Sequence, residues 1–265
     1  MTTLILIGGH SSRMGRDKAL IIRPDGRRQI DFLVDLASHA GTEILLSMRE
    51  DSQPPVDLPV IIDTYEGGGP LAALASFHER RPDEAVLALS CDLFLLDRET
   101  LEQLLASHDA SHAATCFANR LDGFPEPLCA IYEPRALSQA REWLERGERG
   151  ARRFLRSLEP RVLPLPHPAA LENANTPHEL KECFSKLRDG VIEKTVVVDF
   201  AREGIAKESV VSLANTIGGL YEELCFRRRL DSKIGEQVIF RNGRSADAGT
   251  RIGKGDHIEF RMAAL

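Results

Sequence analysis

No two of the five cysteines in this 265-residue chain lie closer together than thirteen residues. That spacing excludes C-x-x-C redox and zinc motifs, and the odd count argues for reduced thiols in a cytoplasmic setting. There is no run of about 18 apolar residues, so no membrane span is expected. The apolar stretch at the N-terminus is too short for a signal-peptide core and lacks a basic lead-in. A net charge of −6 leaves no basic face for nucleic acid. Charge is not concentrated either: from Val191 onward, 12 Lys and Arg stand against 11 Asp and Glu. The chain has no G-x-S-x-G, no H-E-x-x-H and no internal repeat. What it does have is 43% hydrophobic and 28% charged residues, the composition of an ordinary globular protein with room for one large domain or two smaller ones.

The richest segment is Leu4-Ile5-Leu6-Ile7-Gly8-Gly9-His10-Ser11-Ser12-Arg13-Met14-Gly15-Arg16-Asp17-Lys18. A short apolar run bounded by glycine reads as a buried parallel strand. The glycines leave backbone amides open to a ligand, and Arg13 and Lys18 add a planar fork and a point charge. Amides and two cations behind a strand suit a polyphosphate. The spacing is neither a P-loop nor a dinucleotide fingerprint.

Beyond this segment, short apolar runs at Glu43 to Met48, Val60 to Asp63 and Ala85 to Cys91 alternate with helical spacing over Leu71 to Arg81 and Arg98 to His108. Such alternation predicts a parallel sheet wrapped by helices. Ala88-Leu89-Ser90-Cys91-Asp92 is a buried strand that ends in one carboxylate, and buried strands rarely carry one unless it is paired or binds a metal. Thr176, Pro177 and Glu179 form a capping-box signature, opening a helix that runs to about Leu187. Arg188-Asp189-Gly190 reads as a linker. After it come a strand at Thr195 to Phe200, a helix over Leu213 to Cys225, a strand at Gln237 to Arg241, an Asn242-Gly243 hairpin turn and a last strand at Ile258 to Met262. His108 and His112 are not expected to hold a metal, and Arg227-Arg228-Arg229 reads as a solvated helix end.

The N-terminal string resembles the L-A-G-G-x-S-x-R-M-G-x-D-K signature of the molybdenum cofactor guanylyltransferases, within the nucleotidyltransferase superfamily. Ile7 stands where that family usually has Ala. Four further stretches extend the resemblance in order: Asp63 followed by Gly67-Gly68-Gly69-Pro70-Leu71-Ala72, with Ala73 in place of a glycine; Cys91-Asp92, with Ser90 in place of a proline; Pro127-Leu128-Cys129-Ala130-Ile131-Tyr132; and Asn173-Ala174-Asn175-Thr176-Pro177. The resemblance covers residues 2 to about 187. It implies an α/β, three-layer, mostly parallel-sheet (Rossmann-like) nucleotidyltransferase domain over residues 1–187. It further implies that Leu6, Gly8, Gly9, Asp63, Gly69, Pro70, Leu71, Asn173 and Asn175 line the nucleotide site. Arg13 and Lys18 would hold the phosphates and Asp92 would bind Mg²⁺, the three forming the catalytic set. The substrates implied are GTP and molybdopterin, with pyrophosphate released. Ser47-Met48-Arg49-Glu50 lacks the Asn that guanylyl enzymes often show, which leaves CTP or another nucleotide open as the donor. A nucleotide-binding scaffold without catalysis is the non-enzymatic alternative.

A linker at residues 188–192 then leads to residues 193–265. There Val238-Ile239-Phe240-Arg241-Asn242-Gly243 and Ile252-Gly253-Lys254-Gly255-Asp256-His257-Ile258-Glu259-Phe260 resemble the β-grasp (ubiquitin-like) small subunit of molybdopterin synthase. Carriers of that family end in Gly-Gly, whereas this chain ends Arg261-Met262-Ala263-Ala264-Leu265. The expectation is therefore a small α+β domain that carries no sulfur and serves docking, to molybdenum cofactor pathway proteins or acceptor enzymes, or regulation.

Overall fold

A computed structural model describes residues 1–7, 17–200, 207–230 and 234–262. Gly8, Gly9 and Arg13 lie outside the described residues. The chain divides into two compact units, Met1–Asn175 and Thr176–Leu265.

The first unit is built on a seven-stranded sheet. Its elements in chain order are β1 (Thr2–Leu6), α1 (Gln29–Ser38), β2 (Ile44–Met48), β3 (Val60–Ile62), α2 (Pro70–Arg80), β4 (Val86–Ser90), α3 (Arg98–Ala106), β5 (Ala114–Ala118), β6 (Pro125–Tyr132), α4 (Pro134–Glu145), α5 (Ala151–Ser157) and β7 (Arg161–Leu163). The strands lie in the order β3-β2-β1-β4-β6-β5-β7. β1 pairs in parallel with β2 and β4, while β6 runs antiparallel to both β4 and β5. Successive side chains of a strand point to opposite faces, and here both faces are covered. Leu4 packs with Leu74 and Phe77 of α2, Leu137 of α4 and Phe154 of α5. Ile5 packs with Leu33 of α1 and Leu104 of α3. This is the expected three-layer, mostly parallel α/β architecture.

β1 leads through α1 to β2 on one side, whereas β3 leads through α2 to β4 on the other. The sheet's topological switch therefore lies between β1 and β4, and ligands of open α/β sheets bind beyond the carboxyl ends of the strands at such a point. Leu6 pairs with Ser90 at that edge, and Cys91 N–H donates to Leu6 O at 3.2 Å. Asp92 is thereby fixed just past the end of β4.

The second unit comprises α6 (Pro177–Asp189), β8 (Lys194–Phe200), β9 (Glu208–Ser212), α7 (Ile217–Arg228), β10 (Gln237–Arg241), β11 (Arg244–Ala246) and β12 (His257–Met262). Its five strands run in the order β11-β10-β12-β8-β9, with β8 and β12 parallel at the centre and the other pairs antiparallel. Val196, Val198, Ile258 and Phe260 pack against Ile217, Leu220, Tyr221 and Leu224 of α7. Asn242 (φ 52°) and Gly243 (φ 77°) make the turn between β10 and β11, as a two-residue Asn-Gly hairpin requires.

The capping box at Thr176 and Glu179 is present, but the helix it opens does not close the first unit at Leu187. α6 continues to Asp189 and belongs to the second unit, because its buried Glu182 caps α7. Glu182 Oε1 accepts from Asn215 N–H at 2.5 Å, and Oε2 accepts from Thr216 N–H at 3.0 Å and Thr216 Oγ1–H at 2.7 Å. Thr216 in turn accepts from Gly219 N–H. The expected linker is therefore partly helical, and α7 starts at Ile217 rather than Leu213 because Thr216 is its cap.

Candidate active site

Beyond the ends of β1, β2, β3 and β4 lies a cavity of about 660 Å³. Leu6, Lys18, Asp63, Gly69, Pro70, Asp92 and Asn175 all line it. Two expected residues do not. Leu71 is fully buried in the core beneath α2, since the second position of that helix faces the sheet. Asn173 is exposed and off the cavity wall, whereas Ala174 is buried and its N–H donates to Asp92 O at 3.1 Å, which turns Asn175 inward instead.

Asp92 is the chemical centre of the cavity wall. It is only 7% exposed. Its Oδ2 lies 3.4 Å from Lys18 Nζ, which also donates to Asn175 Oδ1 at 2.7 Å. Its Oδ1 is buried and has no hydrogen-bond partner among the described residues. A buried carboxylate oxygen left without a donor is costly, and such groups in a cleft are commonly reserved for a ligand or ion. Lys18 is held near by a short 3-10 turn over Lys18–Leu20, which Asp17 caps through Ala19 N–H.

At the other end of the cavity, Asp63 follows β3. Burial pushes its carboxyl up to about 6, with a bond from Ser47 Oγ at 2.5 Å working against the rise. Ser47 belongs to the segment singled out for lacking an Asn, but its bond to Asp63 was not visible in the sequence, since the two are 16 residues apart on neighbouring strands. The glycine loop between them and α2 turns at Gly69, whose φ of 56° and ψ of −140° only glycine adopts readily, with Pro70 opening the helix. Leu128 lines the wall, whereas Glu126 is held by Asn119 and burial raises its carboxyl. His108 pairs with Glu133 and His112 with Asp109, so neither faces this cavity.

Residues 3–162 match the family described as the MobA-like NTP transferase domain. This chain belongs to that family. It is a nucleotidyltransferase by descent, and a lysine, a carboxylate and a carboxamide converge on one cavity of that domain. The chain is 35% identical over 185 residues to a probable molybdenum cofactor guanylyltransferase of Nostoc sp., spanning 68% of this chain and 88% of that one. It is also 35% identical over 137 residues to a molybdenum cofactor biosynthesis bifunctional protein of Synechocystis sp., of whose length the match covers 39%. Among solved structures, molybdopterin-guanine dinucleotide biosynthesis protein A from Archaeoglobus fulgidus shares the fold, with a TM-score of 0.60 at 21% identity over 71% of this chain and all of that one. No helix among the described residues is long and apolar enough to cross a membrane.

Proposed function

We propose that this nucleotidyltransferase transfers GMP from GTP to molybdopterin, releasing pyrophosphate, as a step in molybdenum cofactor biosynthesis. The observation that carries the reading is the buried Asp92, with one oxygen unpartnered and the other facing Lys18, at the switch point of a family fold whose relatives bear guanylyltransferase names. A phosphate oxygen of the acceptor attacks the α-phosphorus of GTP, the new P–O bond forms, and the bond to the β-phosphate oxygen breaks. The acceptor phosphate is already anionic, so no protein nucleophile is needed, and positioning and electrostatics supply the rate. Lys18 places a positive charge where the leaving pyrophosphate gathers negative charge. Asp63 and Ser47 offer polar contacts at the opposite end of the cavity, where the nucleoside would lie.

The donor set fits Mg²⁺. Asp92 and Asn175 present hard oxygens on the cavity wall, which suits an ion that takes few protein ligands and completes its shell with phosphates and water. Mg²⁺ held there would neutralise charge on the polyphosphate. For the second unit, the proposal is a β-grasp domain that docks to molybdenum cofactor pathway proteins. Its strand order, its central parallel pair and the packing of α7 against the sheet support that reading.

The test is pyrophosphate release with Mg²⁺ and molybdopterin, run in parallel with GTP, CTP and ATP. Release with GTP alone is expected, and release with CTP instead would overturn the choice of base. Asp92→Asn should lower turnover by roughly 10²-fold or more, as loss of one transition-state stabiliser does.

A further inference from the structure

The Lys18 ammonium occupies two of the oxygens that a divalent cation would use, Asp92 Oδ2 and Asn175 Oδ1. Its side chain is 13% exposed and that of Asp92 10%, and Nζ reaches both Asn175 Oδ1 and Asp92 Oδ2. A purely structural ion pair buried to this degree is stable when its remaining lone pairs are satisfied as well. Here Asp92 Oδ1 has no partner among the described residues, and the pair lines an open cavity rather than a packed core. We infer that Lys18 is an internal cation that holds Asp92 Oδ2 and Asn175 Oδ1 against a bare divalent ion, leaving it only Asp92 Oδ1, and releases them when a nucleotide polyphosphate draws the ammonium away.

The electrostatics follow from the three groups. These three groups together carry no net charge, and although Glu50, Asp51, Asp63 and Glu66 also line the cavity, the ammonium at close range is what disfavours a bare divalent ion at Asp92. A triphosphate reverses the balance. It brings several negative charges and offers Nζ phosphate oxygens, and the flexible four-carbon stem of lysine lets the ammonium turn toward them. Asp92 is then free to take a cation that arrives already bound to the nucleotide. The metal would enter as its nucleotide complex and not ahead of it. This inference rests on the nucleotidyltransferase reading for the identity of the polyphosphate.

Mn²⁺ serves as the probe, titrated into the nucleotide-free full chain while the free ion is followed by electron paramagnetic resonance. Measured against a protein-free control for the Mn²⁺ that GTP chelates by itself, the wild-type protein is expected to bind the ion weakly without nucleotide and tightly once GTP is present. Lys18→Met, which keeps the aliphatic stem, should bind Mn²⁺ without nucleotide roughly tenfold more tightly or better, the scale on which a neighbouring charge alters a carboxylate's equilibria. Lys18→Arg should remain weak. Adding Asp92→Asn to Lys18→Met should abolish the gain and so locate the ion. Wild-type protein that binds Mn²⁺ equally well with and without GTP overturns the inference without recourse to any variant. So does a folded Lys18→Met protein with unchanged Mn²⁺ affinity. Failure of the functional reading would look different: no pyrophosphate from GTP, whatever the Mn²⁺ titrations give.

Discussion

Burial governs how Asp63 behaves. With its carboxyl pushed up to about 6, it is ionised and a pure acceptor above that pH, and protonated below it. Donor groups of a nucleoside lose an acceptor as the pH falls. KM for GTP is therefore expected to rise as pH drops below about 6, and Asp63→Asn should remove that part of the profile. Steady-state kinetics between pH 5 and 8 on both proteins make the comparison, and an acid limb that persists unchanged in Asp63→Asn would assign it to another group. Ser47 tempers the rise, since its hydroxyl favours the charged carboxylate. Losing it in Ser47→Ala should move the limb to higher pH.

Among the elements, α7 depends on a residue from outside its own segment. Glu182 on α6 accepts from two backbone N–H groups at the start of α7 and from the capping hydroxyl of Thr216. Removing it leaves buried donors unmet, each worth about 1–3 kcal/mol, and strips Lys186 of a carboxylate 3.5 Å away. Glu182→Ala should lower unfolding free energy by about 2 kcal/mol or more, read from urea denaturation; an unchanged midpoint would mean that water replaces the cap. Nothing in the local sequence announces this contact, which explains why the boundary expected after Leu187 lies instead at Asn175. Elements with strong local signals were legible: the apolar runs of β1 and β4, the capping box of α6, the Asn-Gly turn. β9 was not, because Glu208-Ser209-Val210-Val211-Ser212 is short and half polar, and its pairing with β8 is what makes it a strand. At the candidate site the same division holds. Lys18 and Asp92 could be singled out from their segments, but the bond from Lys18 to Asn175 spans 157 residues. Leu71 and Asn173 were misplaced because a motif identifies a segment without saying which of its neighbours turns inward.

On the scale of the whole molecule, all five cysteines are buried thiols outside any disulfide, distributed over both units. Burial pushes the Cys116 thiol up to about 12 and those of Cys91 and Cys129 higher still, which withholds the reactive thiolate as well as access to it. The native protein should give less than one equivalent with Ellman's reagent and five after denaturation; rapid reaction of the native chain would show that one of these regions opens readily. The order of strands in the second unit bears on how the chain is made. Its central strand, β12, is also the last to be synthesised, and it fills the gap between β8 and β10. Until residue 262 has left the ribosome, β8 exposes an unpaired edge and β10 and β11 form a hairpin with no neighbour, while every strand of the first unit has long since emerged. Nascent chains stalled before β12 should therefore be bound by chaperones at residues 194–246 far more than completed ones, since open strand edges are what such factors and aggregates recognise.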